Sequence, residues 1–290
     1  DISDHIRCQQ EKSRWGHHIS SILTRFQTWI RPRNTLEYRQ PMLFSFLISG
    51  IIIYVLFEAS LMLSDGLTAR RLGRATAPFC RFVEHSDAIV MCVGDSTAVG
   101  TGAQHSTQSV AGRLAYDFPN ITVINHGING ASSANLVTLL SQHPEWRADV
   151  LIIHIGGIDI MGLRSLRALR SNTTSMLRMA KHIAPRVVLV TPPDLGSIPY
   201  FRFPLSLFFS FRTRQARDFV LRRAKKGDFA HVDLYTDSED DPFRTNRKRY
   251  FAADHIHPSD DGYALWYAAI KQALTERGWI NKLHRDHPRS

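Results

Sequence analysis

The sequence predicts a three-layer α/β/α domain on a mostly parallel, doubly wound sheet, preceded by one transmembrane helix. Three observations carry this. Short, nearly continuous apolar runs recur through residues 88–234. Amphipathic stretches of helical length separate them, which argues for parallel strands covered on both faces. Ahead of them, MLFSFLISGIIIYVLFEASLML (42–63) is almost unbroken apolar sequence with one charge, Glu58.

The 290 residues are 43% hydrophobic and 21% charged, a globular balance for one large domain plus an appendage. Residues 1–41 form a basic N-terminal tail. ILTRFQTWIRPR (22–33) within it spaces Ile22, Phe26, Trp29 and Ile30 as an amphipathic piece suited to a membrane surface. The chain begins with Asp1, so the natural N-terminus is expected further upstream. At about 1.5 Å per residue, 42–63 is long enough to cross a bilayer core of roughly 30 Å. It follows too long a polar segment, and has no A-x-A site directly after it, to read as a cleaved signal peptide. Arg25, Arg31, Arg33 and Arg39 flank one end, and Arg70, Arg71, Arg74 and Arg81 the other, so charge contrast does not orient it. The short segment before a single anchor favours a single-pass membrane protein with its main domain on the extracytoplasmic side.

Residues 64–87 read as a linker, 88–280 as the main domain and 281–290 as a C-terminal tail. Strands are expected at AIVMCV (88–93), ITVIN (121–125), VLIIHI (150–155), RVVLVT (186–191) and AHVDL (230–234). Helices are expected near 107–117, 132–142, 163–184, 206–226 and 259–277. Ser259, followed by Asp260 and Asp261, is a good helix start.

The formal net charge of +10 favours anionic surfaces such as phospholipid. No zinc-finger, homeodomain or RNP-type signature accompanies it, so nucleic acid is not expected as a partner. The three cysteines, Cys8, Cys80 and Cys92, form neither a disulfide framework nor a metal spacing. Cys92 reads as a small buried hydrophobe. The histidines show no ligand spacing and no Gly-rich phosphate loop is present, so no metal or cofactor is expected.

In doubly wound sheets, sites form at the carboxyl ends of strands. Ser96 in CVGDSTAVG (92–100), Gly127 in INHGING (124–130) and Asp159 all lie just after expected strands. A Ser hydroxyl is a weak nucleophile without a neighbouring base, and that base is usually a His steadied by a carboxylate. ADHIHPSDDGYALW (253–266) supplies both, with Asp254 three residues before His257. Gly127 and Ser96 each offer a backbone N–H for a developing oxyanion. Asp95 and Asp159 read as residues that brace their turns.

GDST (94–97), NHG (125–127), GGID (156–159) and DHIH (254–257) resemble, in order and spacing, the four blocks of the SGNH hydrolases, the GDSL-type esterases and lipases. The resemblance covers roughly residues 88–275. It implies a flavodoxin-like SGNH hydrolase fold and carboxylic ester hydrolysis, with Ser96 as nucleophile, His257 as base and Asp254 as its orienting acid. It also implies that the Ser96 and Gly127 N–H groups are oxyanion donors. One block departs from the family: Ile158 stands where a Gly-x-Asn-Asp pattern has an oxyanion-binding Asn. An Ile side chain cannot donate a hydrogen bond. His154 and Asn129 are the candidate substitutes. A catalytically weakened, membrane-tethered binding or scaffold protein on the same fold is the alternative that Ile158 favours.

The substrate-binding residues are not legible in the sequence. TPPDLGSIPYFRFPLSLFFSFRTRQARDFVLRRAKK (191–226) pairs an aromatic lobe with a basic stretch that could shape an acyl pocket and meet lipid headgroups. A lipid-like ester and an O-acetylated glycan are the two expected substrate types. Transfer of the acyl group to an alcohol other than water is a close variant.

Overall fold

The computed structural model describes residues 39–236, 239 and 241–283. The tail at 1–38, with its amphipathic piece, and residues 284–290 lie outside these. The chain divides into two compact units at Phe57/Glu58.

Helix α1 (Arg39–Ala75) carries that boundary. In the first unit its apolar side chains are exposed, among them Phe44, Leu47, Ile51, Val55 and Phe57. The helix is long and apolar enough to cross a membrane. From Glu58 onward it belongs to the second unit. Residues 64–75, expected as linker, are helical. Met62 packs against the hydrophobic core, and Asp65 is buried. Less exposed positions recur at Glu58, Leu61, Met62, Asp65, Ala69, Leu72 and Gly73, one stripe at helical spacing. That stripe is why the helix does not end with the apolar run.

The second unit holds a five-stranded parallel sheet, ordered β2-β1-β3-β4-β5. The strands are β1 (Ala88–Val93), β2 (Ile121–Asn125), β3 (Val150–His154), β4 (Arg186–Thr191) and β5 (Ala230–Asp233). This is the flavodoxin-like order of a doubly wound sheet. Register pairs Val90 with Val123 on one side of β1 and with Val150 on the other. Both faces are covered, so the central strands read as unbroken apolar runs and Val150–Ile153 are wholly buried. Cys92 sits among them, and burial pushes its thiol up to about 12.

The helices form two groups. α3 (Val110–Asp117) packs with α10 (Asp260–Glu276); α4 (Ser133–Gln142) packs with α6 (Leu166–Ile183), which also packs with α7 (Leu205–Gly227). Serines start four of them, since a hydroxyl satisfies an orphan N–H of the first turn. Ser109, Ser132, Ser165 and Ser259 each accept from the backbone N–H three residues on, and Ser132 closes a capping box with Asn135. Four short helices lie outside the expected helical spans: α2 (Ser96–Val99), α5 (Gly157–Met161), α8 (Pro242–Thr245) and α9 (Arg247–Tyr250). Each is four or five residues long, too short to show a hydrophobic period.

Candidate active site

Two turns that meet at the carboxyl edge of the sheet build the site. The first leaves β1 through Gly94, at φ +154°, where a Cβ would lie 2.7 Å from the Cβ of His154. Only glycine passes here without strain. Asp95 then caps α2: its Oδ1 accepts from the Thr97 N–H at 2.9 Å and from the Thr97 hydroxyl at 2.7 Å. Ser96 therefore stands at the first position of α2, facing the cavity.

The second turn is ADHIH. Asp254 Oδ1 accepts from the N–H groups of Ile256 and His257, both at 3.0 Å, so the carboxylate folds the loop around itself. Its Oδ2 meets His257 Nδ1 at 2.5 Å, and His257 Nε2 meets Ser96 Oγ at 2.7 Å. Asp254 is fully buried, and Ser96 and His257 nearly so. Burial raises the Asp254 carboxyl, but hydrogen bonds from the His257 ring and from the two N–H groups outweigh it, and the net shift is down.

These two turns are locked together. The Tyr263 hydroxyl donates to the Thr101 carbonyl at 2.7 Å, and the Gln104 N–H donates to Asp260 Oδ1 at 2.9 Å. Gly102, at φ +99°, leaves room for the His257 loop: a Cβ would fall 2.5 Å from the Pro258 carbonyl oxygen and 2.8 Å from the His257 Cβ.

Gly127 follows β2 as expected. Its N–H donates to Asn125 Oδ1 at 2.9 Å, and it is not part of the cavity wall that holds Ser96 and His257. It is a glycine because a Cβ there would come within 2.7 Å of the Val99 nitrogen. Asn125 completes the contact by donating to the Ala98 carbonyl at 2.7 Å.

Both candidate substitutes for the missing Asn already hold other partners. The Asn129 amide donates to the Gly73 carbonyl of α1 at 2.8 Å and accepts from the Thr101 hydroxyl at 2.7 Å. His154 Nδ1 lies 3.1 Å from Thr97 Oγ1. The Thr97 hydroxyl proton is already given to Asp95, so Nδ1 is the donor and the ring carries its proton there. Burial lowers His154 to about 4, which keeps the ring neutral and leaves Nε2 without a proton to donate. Ile158 lines the cavity with Ser96 and His257. Asp159 braces α4, accepting from the Ser133 N–H at 2.8 Å and its hydroxyl at 2.7 Å.

The cavity measures about 430 Å³ and is mostly apolar. Pro192, Pro193, Leu195 and Ile198, from the loop after β4, form one part of its wall. The aromatic lobe expected to shape it does not reach it. Phe201 and Phe209 are stacked at 3.7 Å in the core, while Phe203, Leu207, Phe208 and Phe211 are exposed. Part of the basic stretch is spent internally, with Arg217 bonded to Asp233 and Arg214 to the Tyr235 hydroxyl. Another part of the wall was not foreseen at all: Ala69, Arg70, Gly73 and Arg74 of α1. Two further bonds hold this half of the helix to the domain, Asp65 to His255 at 3.0 Å and Glu58 to Arg202 at 3.2 Å. His255 is thus a tie to α1.

Residues 92–265 match the model of the GDSL-like Lipase/Acylhydrolase family, more than half of the chain. The protein belongs to this family. The family is one of ester hydrolases, and the chain is an enzyme of that type. No curated protein matches it. Among solved structures it is similar to a member of the lipolytic G-D-S-L family from Veillonella parvula, at 16% identity and a TM-score of 0.54, over 64% of this chain and 98% of that one. It is also similar to an α/β hydrolase from the metagenome of Lake Arreo, at 18% identity and 0.51, over 67% and 97%. A variant of an acetyl-xylooligosaccharide esterase from Geobacillus stearothermophilus matches at 19% and 0.50, over 67% and 96%. At these identities the likeness speaks for the shared fold. The matched region leaves out α1, so the helical wall of the cavity lies outside the family match.

Proposed function

We propose that the protein is a membrane-anchored serine esterase that hydrolyses carboxylic esters through Ser96, His257 and Asp254. The observation that carries this is the continuous chain of short contacts from Asp254 Oδ2 through His257 to Ser96 Oγ. With the carboxylate accepting at Nδ1, the lone pair of Nε2 faces the Ser96 hydroxyl. His257 takes the hydroxyl proton as Ser96 Oγ attacks the ester carbonyl. The tetrahedral intermediate collapses to an acyl-enzyme, and His257 returns the proton to the departing alcohol. Water, activated by the same imidazole, then releases the acid.

The oxyanion is held first by the Ser96 N–H, an unbonded donor position at the start of α2. The Gly127 N–H serves as second donor once it leaves Asn125 Oδ1, an exchange costing about 0.5–1.5 kcal/mol. With Ile158 in place of a side-chain donor, this enzyme is slow for its family.

The apolar cavity favours a lipid-like ester over an O-acetylated glycan. Acyl transfer to an alcohol is a variant of the same chemistry. The α1 anchor holds the catalytic unit at the membrane, on the extracytoplasmic side. Ile158 also favours a second reading, a weakened binding protein on the same fold. Hydrolysis of a p-nitrophenyl ester series by the detergent-solubilised chain, beside Ser96→Ala, separates the two. The esterase reading requires turnover that the variant loses; the binding reading requires none in either.

A further inference from the structure

The α1 wall of the cavity has a chemistry of its own. Arg70 and Arg74 are one helical turn apart and lie on the same face. Both line the cavity that holds Ser96 and His257. Between them Gly73 makes the close approach: a Cβ there would sit 3.3 Å from Asn129 Cγ, and Asn129 grips the Gly73 carbonyl. Small residues at Ala69 and Gly73 thus bring the helix against the cavity, and the two arginines come with them.

Both guanidiniums are exposed, and no ion pair among the described residues uses either. The other ionisable groups in the wall do not answer them. Asp95 is already bonded to Thr97, and burial raises its carboxyl toward the neutral form. His154 is neutral, and His257 is committed to Asp254 and Ser96. A guanidinium is always charged and its planar fork matches carboxylate and phosphate oxygens. Beside an apolar cavity its attraction for an anion is stronger than in open water.

We propose that Arg70 and Arg74 form an anion subsite of the catalytic cavity, so that the preferred substrate is an apolar ester bearing a carboxylate or phosphate group. This deepens the esterase reading, yet it can be tested without turnover. The test uses the full chain carrying Ser96→Ala, in non-ionic detergent, titrated calorimetrically with a monoacylglycerol, its phosphate monoester and its hemisuccinate. The phosphate and carboxylate arms distinguish which anion is preferred, and inorganic phosphate alone reports whether the acyl part is needed. At least one anionic ester is expected to bind about tenfold more tightly than the neutral one. Adding Arg70→Gln and Arg74→Gln brings that ratio close to one. Arg71→Gln, the same charge change on the same helix outside the cavity wall, keeps it. Equal binding of neutral and anionic esters overturns the proposal. So does an equal loss in Arg71→Gln, because the preference would then be a general field of the basic helix. Loss of Ser96-dependent hydrolysis would touch the esterase reading alone.

Discussion

His154 provides a quantitative test of the site's electrostatics. The ring is buried under the nucleophile turn, bonded through Nδ1 to Thr97, and lowered to about 4 by burial. In the unfolded chain the same imidazole titrates near 6.5. Between these values the unfolded state binds a proton that the folded state refuses. Stability therefore rises with pH across this window and falls on acidification from about 6.5 toward 4. Going from pH 7 to 4.5 should remove about 2.5 kcal/mol through this one group. The assay is urea unfolding of the full chain in non-ionic detergent, followed by tryptophan fluorescence at both pH values, for wild type and His154→Gln. Every other titrating group is common to the two, so the difference between their pH responses isolates His154. The variant is expected to lose about 2.5 kcal/mol less than wild type on acidification. Equal responses would refute the argument and show that the ring is open to solvent or carries a proton in the folded state.

Three further outcomes follow from the same geometry. Gly102→Ala should lower kcat by about 10²-fold with a smaller effect on KM, because the new methyl displaces the His257 loop from Ser96; unchanged kcat would contradict the tight packing of that turn. Tyr263→Phe leaves the buried Thr101 carbonyl without its hydroxyl donor, and urea unfolding should show a loss of about 1–2 kcal/mol. Ile158→Asn places an amide donor in the cavity wall and should raise kcat by about tenfold, read on a soluble nitrophenyl ester; a fall in kcat would mean that the oxyanion lies elsewhere.

The strands were legible almost to the residue because parallel strands buried on both faces must be apolar throughout. β1, β2 and β4 match the expected bounds, and β3 and β5 end one residue early. The long helices were legible from their periodicity, and the last of them also from its serine cap, Ser259. Ser96, Asp254 and His257 were found from chemistry and order alone, and the structure brings them into one chain of contacts. The Gly127 N–H, bonded to Asn125 Oδ1, was less legible, because a glycine in sequence does not say whether it also makes room for a neighbour. Here it makes room for α2.

The α1 wall was hidden for another reason. An apolar span dominates the local pattern, and the stripe of Met62, Asp65, Ala69 and Gly73 that follows is too weakly hydrophobic to announce packing. The aromatic lobe misled in the opposite way. Its phenylalanines divide between the core and the surface, and which goes where depends on the turn of α7 rather than on composition.

The most direct test of the central claim is hydrolysis of p-nitrophenyl butyrate by the full chain in detergent, beside Ser96→Ala. The account predicts steady turnover in wild type and its disappearance in the variant. Turnover that survives Ser96→Ala, or no turnover and no acyl-enzyme burst in wild type, would contradict it.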